Sequence, residues 1–268
     1  NEAIDRGAAF LWGYLKNKDL KASHHSLGDD REHTIAALAL VHSGAHKKFP
    51  DLDVRLRAYL ASVDPRRGDV YQAGIVCMLV EAYGDPSFLP SLRTATRYLL
   101  EVQGPEGSWS YTCRLPEAVF HDPVADRVIQ VSGGVPLDGS DAAPAVSRIT
   151  DWKDGLDGDN SVSQYALLGL QAVSRAGVRV DPEVWKRSLK SFRSRQGDDG
   201  NWYYHGKSRT GYGSMTCAGI CSVAIARHEQ GEREPAADPA VQNGLEWLGR
   251  SFSVDVHPHH NPPKQWRF

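Results

Sequence analysis

Two kinds of apolar segment alternate along this chain, and that alternation limits the fold more than any other feature of the sequence. The first kind carries a single apolar stripe: Ile4, Ala8, Leu11 and Leu15 fall at i, i+4, i+7 and i+11. The same spacing returns at Leu52, Leu56, Tyr59, Val63 and at Phe88, Leu92, Ala95, Leu99. It returns again at Trp185, Leu189, Phe192, Gln196 and at Val241, Leu245, Leu248, Phe252. One stripe on an otherwise polar helix predicts a helix with one face on a core. The second kind is apolar or small nearly all the way round: Thr34 to Val41, Ala73 to Val80, Tyr165 to Val173, and Ala218 to Ala226. A helix without a polar face has to be buried.

The ends of these segments agree with helices. Gly44, Gly84, Gly177 and Gly231 each follow the last apolar turn of a wholly apolar segment, where a left-handed cap favours glycine. Asp181-Pro182 and Asp238-Pro239 read as N-cap and first residue of two of the amphipathic helices. The expected fold is therefore all-α: one domain over residues 1–268, an (α/α) toroid of about five helical hairpins with buried helices inside a ring of amphipathic ones. An open α-solenoid is the alternative, but its second helices would keep a polar concave face, which these lack. A long connection over about 104–158, rich in Gly, Pro, Asp and Ser, interrupts the third hairpin; a loop of that length is expected to be functional or mobile. The last hairpin is incomplete, so an open ring or a piece of a longer chain is expected. Because the first residue is Asn1, an upstream segment is expected to have been removed.

Composition removes several functions. Lys plus Arg number 31 against 33 for Asp plus Glu, a formal charge of −2, so no basic excess exists to neutralise a nucleic-acid backbone. The longest apolar runs, Ile35 to Val41 and Ala73 to Val80, are too short to span a bilayer. With 41% hydrophobic and 24% charged residues the chain is not expected to be disordered. Four cysteines are too few for a disulfide scaffold at this length; Cys217 and Cys221, four apart in an apolar stretch, are expected to be buried free thiols. No C-x-x-C pair, phosphate loop, dinucleotide fingerprint, G-x-S-x-G or HExxH occurs, so neither a metal nor a cofactor is expected. His257, His259 and His260 read as part of a solvated Pro-rich tail.

The turns add a second signature. Gln103-Gly104-Pro105-Glu106-Gly107-Ser108-Trp109 and Gln196-Gly197-Asp198-Asp199-Gly200-Asn201-Trp202 share the pattern Q-G-x-x-G-x-W, each after an amphipathic helix. Such a motif can tie one outer helix to the next, the Gln amide bonding backbone at a helix end while the indole packs over it. It resembles the QW motif of the squalene cyclase and prenyltransferase repeat family. Gly158-Asp159-Asn160-Ser161-Val162-Ser163-Gln164-Tyr165 and Ser214-Met215-Thr216-Cys217-Ala218-Gly219 are similar to bacterial squalene-oxidase-repeat proteins. The resemblance implies an α/α toroid, with Trp109 and Trp202 packing at equivalent places on successive repeats. A protein prenyltransferase would bring a zinc site with Asp and Cys two apart, and no D-x-C occurs here.

In such a toroid the N-termini of the buried helices meet at one rim. Asp30 and His33, Tyr71 and Gln72, Asn160, Gln164 and Tyr165, and Tyr212 are the candidate ligand-binding residues there. Asp157-Gly158-Asp159-Asn160-Ser161-Val162 resembles the D-x-D-D-T-A motif of class II terpene cyclases. The resemblance makes Asp159 the proton donor to an alkene and Asp157 its support, which requires a carboxyl kept neutral yet acidic. Asn160 stands where the motif has its last Asp, which removes one carboxylate. The competing expectation is that Asp159 is a helix cap, accepting N–H groups of the first turn, with a lowered pKa. Two further readings stay open: a saccharide-active hydrolase or lyase using rim carboxylates Asp29, Asp30, Asp69, Asp157 and Asp159 with Arg209 and exposed Trp109, Trp202, Tyr203 and Tyr204, and a non-catalytic protein-binding scaffold. Expected partners are thus an isoprenoid or a saccharide, with no nucleic acid and no transmembrane segment.

Overall fold

The computed structural model describes residues 2–16, 29–62, 69–111, 158–206 and 210–259. Among them the chain is helical throughout, with only two isolated antiparallel bridges, Gln196 with Trp202 and Tyr203 with Gly211. The helices are α1 (Glu2–Lys16), α2 (Asp29–His42), the single turn α3 (Ala45–Lys48), α4 (Pro50–Ser62), α5 (Val70–Tyr83), α6 (Leu89–Glu101), α7 (Asn160–Arg175), α8 (Pro182–Ser194), α9 (Gly213–Glu229) and α10 (Pro239–Ser251). Among the described residues no helix is long and apolar enough to cross a membrane. The chain forms two compact units: one holds residues 1–101, 112–147 and 172–179, the other 102–111, 148–171 and 180–268.

In the first unit α5 packs between α2 and α6, and α1 packs on α2. The core is built from the predicted stripes of α4 and α6: Leu52, Leu56 and Tyr59 from one, Leu92, Ala95 and Leu99 from the other, all buried. The buried residues of α5 run through its length, including Ala73, Ile75, Val76, Cys77, Leu79 and Val80. Asp69 caps α5 by accepting the Gln72 N–H at 2.8 Å, and Gly84, at φ 73°, closes it by donating to the Val80 carbonyl at 3.1 Å. Gly44, Gly177 and Gly231 also take positive φ, as their places after the apolar segments required.

Two segments of this unit, one stripe and one wholly apolar, turn out differently. In α1 the buried side is Ala8, Trp12 and Leu15, while Ile4 faces solvent: the large indole stacked on Phe49 at 6.3 Å sets the face. The α2 segment is not buried all round, since Ile35 and Ala39 are exposed.

In the second unit α9 packs between α8 and α10. Asp181 and Asp238 cap α8 and α10 through the Glu183 and Ala240 N–H groups at 2.8 and 3.0 Å, each followed by proline. The α8 stripe of Trp185, Leu189 and Phe192 is buried. That of α10 is not the expected one. Leu245 is 46% and Phe252 75% exposed, and the buried face carries Ala240, Val241, Gly244 and Trp247. Gly244 lies on the core because the Trp202 ring and Ile220 fill the space a Cβ would need, at 2.7 Å each. The α9 segment also departs from expectation: Cys217 and Cys221 are exposed free thiols, not buried ones.

Candidate functional site

The two Q-G-x-x-G-x-W turns, both in the second unit, share several of their bonds. Gly104 N–H donates to the Ser108 carbonyl and Gly197 N–H to that of Asn201, both at 2.8 Å. Gln103 Nε2 donates to the Val184 carbonyl at 3.2 Å and to Ser188 Oγ at 3.0 Å, at the start of α8. Gln196 Nε2 donates to the Gly200 and Ala240 carbonyls at 3.0 and 2.8 Å, the latter at the start of α10. Each glutamine therefore ties its turn to the first turns of the following helix, α8 or α10. Gly107 and Gly200, at φ 85° and 96°, cross the same helices so closely that a Cβ would sit 2.3 Å from the Arg187 main chain and 2.4 Å from the Asn243 carbonyl oxygen. The main chain at the two tryptophans follows suit. Trp109 main-chain N–H donates to Ser163 Oγ at 2.9 Å, and Trp202 main-chain N–H to Thr216 Oγ1 at 3.2 Å, the acceptors lying three residues into α7 and α9. Both tryptophans are fully buried, so neither offers the exposed platform that the saccharide reading assigned to it.

These turns deliver their following residues to the N-termini of α7 and α9. Asp159 is 5% exposed. Its Oδ1 accepts the Val162 N–H at 2.8 Å, its carbonyl accepts Ser163 N–H at 3.0 Å, and its own N–H donates to the Trp109 carbonyl at 3.1 Å. It is the cap of α7. The expected consequence, a lowered pKa, does not follow. Burial raises the Asp159 pKa and outweighs the Val162 and Ser161 N–H groups, the Arg195 charge and the Tyr204 hydroxyl, all of which pull it down. The carboxyl thus has the cap's geometry together with a raised proton affinity.

Three tyrosines gather over it. The Tyr204 and Tyr111 hydroxyls share a hydrogen bond, and Tyr111 is 38% exposed. Tyr212, half-buried, has its pKa raised by burial first and then by the neighbouring Asp159 and Tyr111 charges. His205 meets Tyr204 edge-on at 5.7 Å between ring centroids, and His257 tilts against Tyr212 at 5.4 Å. His257 does more than pack. Tyr212 makes no side-chain cap on α9, and the orphan N–H groups there go to the tail: Gly213 N–H to the Pro258 carbonyl at 3.1 Å, Ser214 N–H to His257 Nε2 at 3.4 Å. At His257 and Pro258 the tail is therefore a docked cap, not the solvated segment expected; His260 lies outside the described residues.

Asn160 has a structural role. It is fully buried, its Nδ2 donates to the Tyr203 carbonyl at 2.7 Å, and its Oδ1 accepts from Arg195 Nη1 at 3.1 Å. Arg195 Nη2 continues to Ser108 Oγ at 3.0 Å. The residue that departs from the acid motif is thus tied to a buried guanidinium and turns neither end of its amide to a ligand. Gln164 and Tyr165, half-buried, lie within the first two turns of α7. His33, Tyr71 and Gln72 belong to the first unit; Gln72 is buried in the first turn of α5, and His33 lies 6.3 Å from Tyr14, ring to ring. Asp157 and Arg209 lie outside the described residues, as do the side chains of Asp29 and Asp30. The structure therefore brings Asp159, Asn160 and Tyr212 together and adds Tyr111, Arg195 and His257, which sequence reading missed. Arg195 has no counterpart in the first turn, where Val102 precedes Gln103, so the repeat gave no signal for it. Tyr111 ends the first turn two residues after Trp109, as Tyr204 does after Trp202, a correspondence that could have found it.

No family model matches the chain, and a search of curated proteins finds no significant match.

Proposed function

We propose that the helices form an α/α toroid module of the squalene-cyclase and prenyltransferase-repeat type, and that it binds an isoprenoid at the N-terminal rim of its inner helices. Asp159, Tyr111, Tyr204 and Tyr212 make the rim's centre, with Gln164 and Tyr165 further along α7. The observation that carries the reading is the cluster itself: a buried carboxyl of raised pKa beneath three tyrosines, one of them exposed. Tyrosine faces present apolar area and a π-surface to an alkene chain, while the Tyr111 and Tyr204 hydroxyls bond each other. The repeat reading is supported by the matched bonding of the two glutamine–tryptophan turns.

A second reading, protonation of the bound alkene by Asp159, is favoured by the raised pKa alone. Against it stand the Val162 N–H on Asp159 Oδ1 and the structural use of Asn160. Binding without turnover is the conclusion preferred here. The test is the thermal midpoint of the chain with a linear triterpene, and separately with a linear oligosaccharide. A ligand at a hundred times its Kd stabilises the fold by about 2.7 kcal/mol. The triterpene should raise the midpoint of the wild type and not that of Tyr212→Ala. A shift with the oligosaccharide alone, or with neither, refutes the reading. A cyclised product that disappears in Asp159→Asn would move the conclusion to catalysis.

A further inference from the structure

The side of α9 that faces solvent carries two thiols and nothing charged between them. Cys217 and Cys221 are both exposed and neither is in a disulfide. They stand one helical turn apart, so their Cβ atoms are neighbours on one face, about 5–6 Å apart. The thiols sense each other: burial raises both pKa values, and the neighbouring Cys221 raises that of Cys217 further. The flanking positions on the same side are Ser214, Ile220 and Ala224, all half-buried and none of them able to cover or compete for a sulfur. Among the described residues no group of three His, Cys, Asp or Glu side chains could hold a metal together. A four-coordinate ion such as zinc therefore finds too few ligands here.

We propose that Cys217 and Cys221 form a two-coordinate site for a soft monovalent d¹⁰ cation, Cu(I) being the representative. Thiolate pairs suit such ions, whereas oxygen-seeking cations gain nothing from them. Two metal–sulfur bonds of about 2.3 Å placed end to end span about 4.6 Å, within reach of side chains whose Cβ atoms are a turn apart. The balance is that of ligand exchange: two thiols lose their protons, two metal–sulfur bonds form, and the complex carries one net negative charge. No electron is transferred. Because both thiols start protonated, binding releases two protons and tightens as pH rises. The site lies on the solvent side of α9 and does not depend on the isoprenoid reading.

The probe is Cu(I) itself, titrated anaerobically into the whole chain against a competing colorimetric chelator, with proton release followed in weak buffer. Cys217→Ser, Cys221→Ser and the double variant are compared; all keep Cys77 and Cys113, which serve as internal controls. Wild type should take one equivalent of Cu(I) with release of two protons. Either single substitution should weaken binding by roughly 100-fold, since the second sulfur no longer binds intramolecularly. Serine at these exposed positions should leave the helical circular dichroism and thermal midpoint unchanged, which separates loss of a ligand from loss of the fold. Equal Cu(I) binding by wild type and the double variant overturns the proposal. So does a single variant that retains wild-type affinity.

Discussion

Gly219→Ala should unfold the second unit more easily, and the size of the effect follows from the Trp202 indole. A Cβ at position 219 would stand 2.1 Å from Trp202 Cδ2 and 2.4 Å from Cε2 and Cγ. The ring cannot simply lean away. It is fully buried, its Nε1–H donates to the Phe192 carbonyl at 2.8 Å, and its main-chain N–H donates to Thr216 Oγ1 at 3.2 Å. Forcing a methyl into a filled core costs about 1–3 kcal/mol. If the ring moves enough to break the Nε1 bond, a buried N–H loses its partner, at about 1–3 kcal/mol more. Alanine returns up to about 1 kcal/mol of helix propensity in α9. The net expectation is a loss of about 2–4 kcal/mol. The assay is urea unfolding followed by tryptophan fluorescence, with Gly249→Ala as the control. Gly249 lies in α10 with nothing within 4 Å of its notional Cβ, so alanine there should be neutral or stabilising by at most about 1 kcal/mol. If Gly219→Ala matches or exceeds the wild type in stability, as the control should, the indole does not pack on α9 and the tie between turn and helix is wrong.

The glutamine tie makes a related prediction: Gln196→Ala should cost about 1–3 kcal/mol by leaving the Gly200 and Ala240 carbonyls without their donor. Gln196→Glu, which has no N–H to offer, should be at least as destabilising in the same urea titration; a neutral Glu variant would show that the bonds contribute nothing. For Asp159 the prediction concerns pH. Its folded pKa is raised above the ordinary 3.8, chiefly by burial, so in the window upward from that value the native state holds a proton the unfolded chain has lost. Stability from this group is then greatest below the unfolded pKa and is lost as pH rises through the folded one. Asp159→Asn, neutral and about as good a cap, should therefore gain on the wild type towards neutral pH and lose that advantage in acid. Urea midpoints measured across that range would contradict the argument if the wild type gains on the variant as pH rises.

What could be read from the sequence was what depends on chain-local rules. The apolar stripes of α4, α6 and α8, the aspartate caps at Asp181 and Asp238, and the left-handed glycines at 44, 84, 177 and 231 need only a few neighbouring residues to be specified. The bonds the two glutamine turns share, Gln to the Gly107 or Gly200 carbonyl and Gly N–H to the Ser108 or Asn201 carbonyl, were also legible, because they join residues at the same spacing. The misplaced face of α10 shows where this stops. Two apolar registers compete on that helix, Val241-Leu245-Leu248-Phe252 and Ala240-Gly244-Trp247, and periodicity favours the first because glycine does not score as apolar. The structure takes the second, since Gly244 alone leaves room for the Trp202 ring and Ile220, and Trp247 reaches Asp199 Oδ2 through its Nε1–H at 3.2 Å. A buried glycine announces a neighbour's bulk, and the neighbour here lies 42 residues earlier in the chain.

The candidate site showed itself only in part in the sequence for the same reason: Asp159, Asn160 and Tyr212 were legible, Tyr111 and Arg195 were not. A motif assigns Asp159 by its immediate neighbours, but whether a carboxyl at a helix start is an anion or an acid depends on what else surrounds it. The local part of the prediction held, since Asp159 accepts the Val162 N–H as a cap must. The non-local part reversed its consequence. Trp109 and Ser163, brought together by the first turn, and the Tyr204–Tyr111 pair close water away from the carboxyl. The desolvation this imposes exceeds what two backbone N–H groups and a guanidinium return. Arg195 limits the effect: its guanidinium donates to Asn160 Oδ1 and Ser108 Oγ, and its charge lowers the Asp159 pKa. An aspartate at position 160 would take that guanidinium into an ion pair. The asparagine leaves the Arg195 charge acting on Asp159 through space, one of the influences that lower a pKa which burial raises.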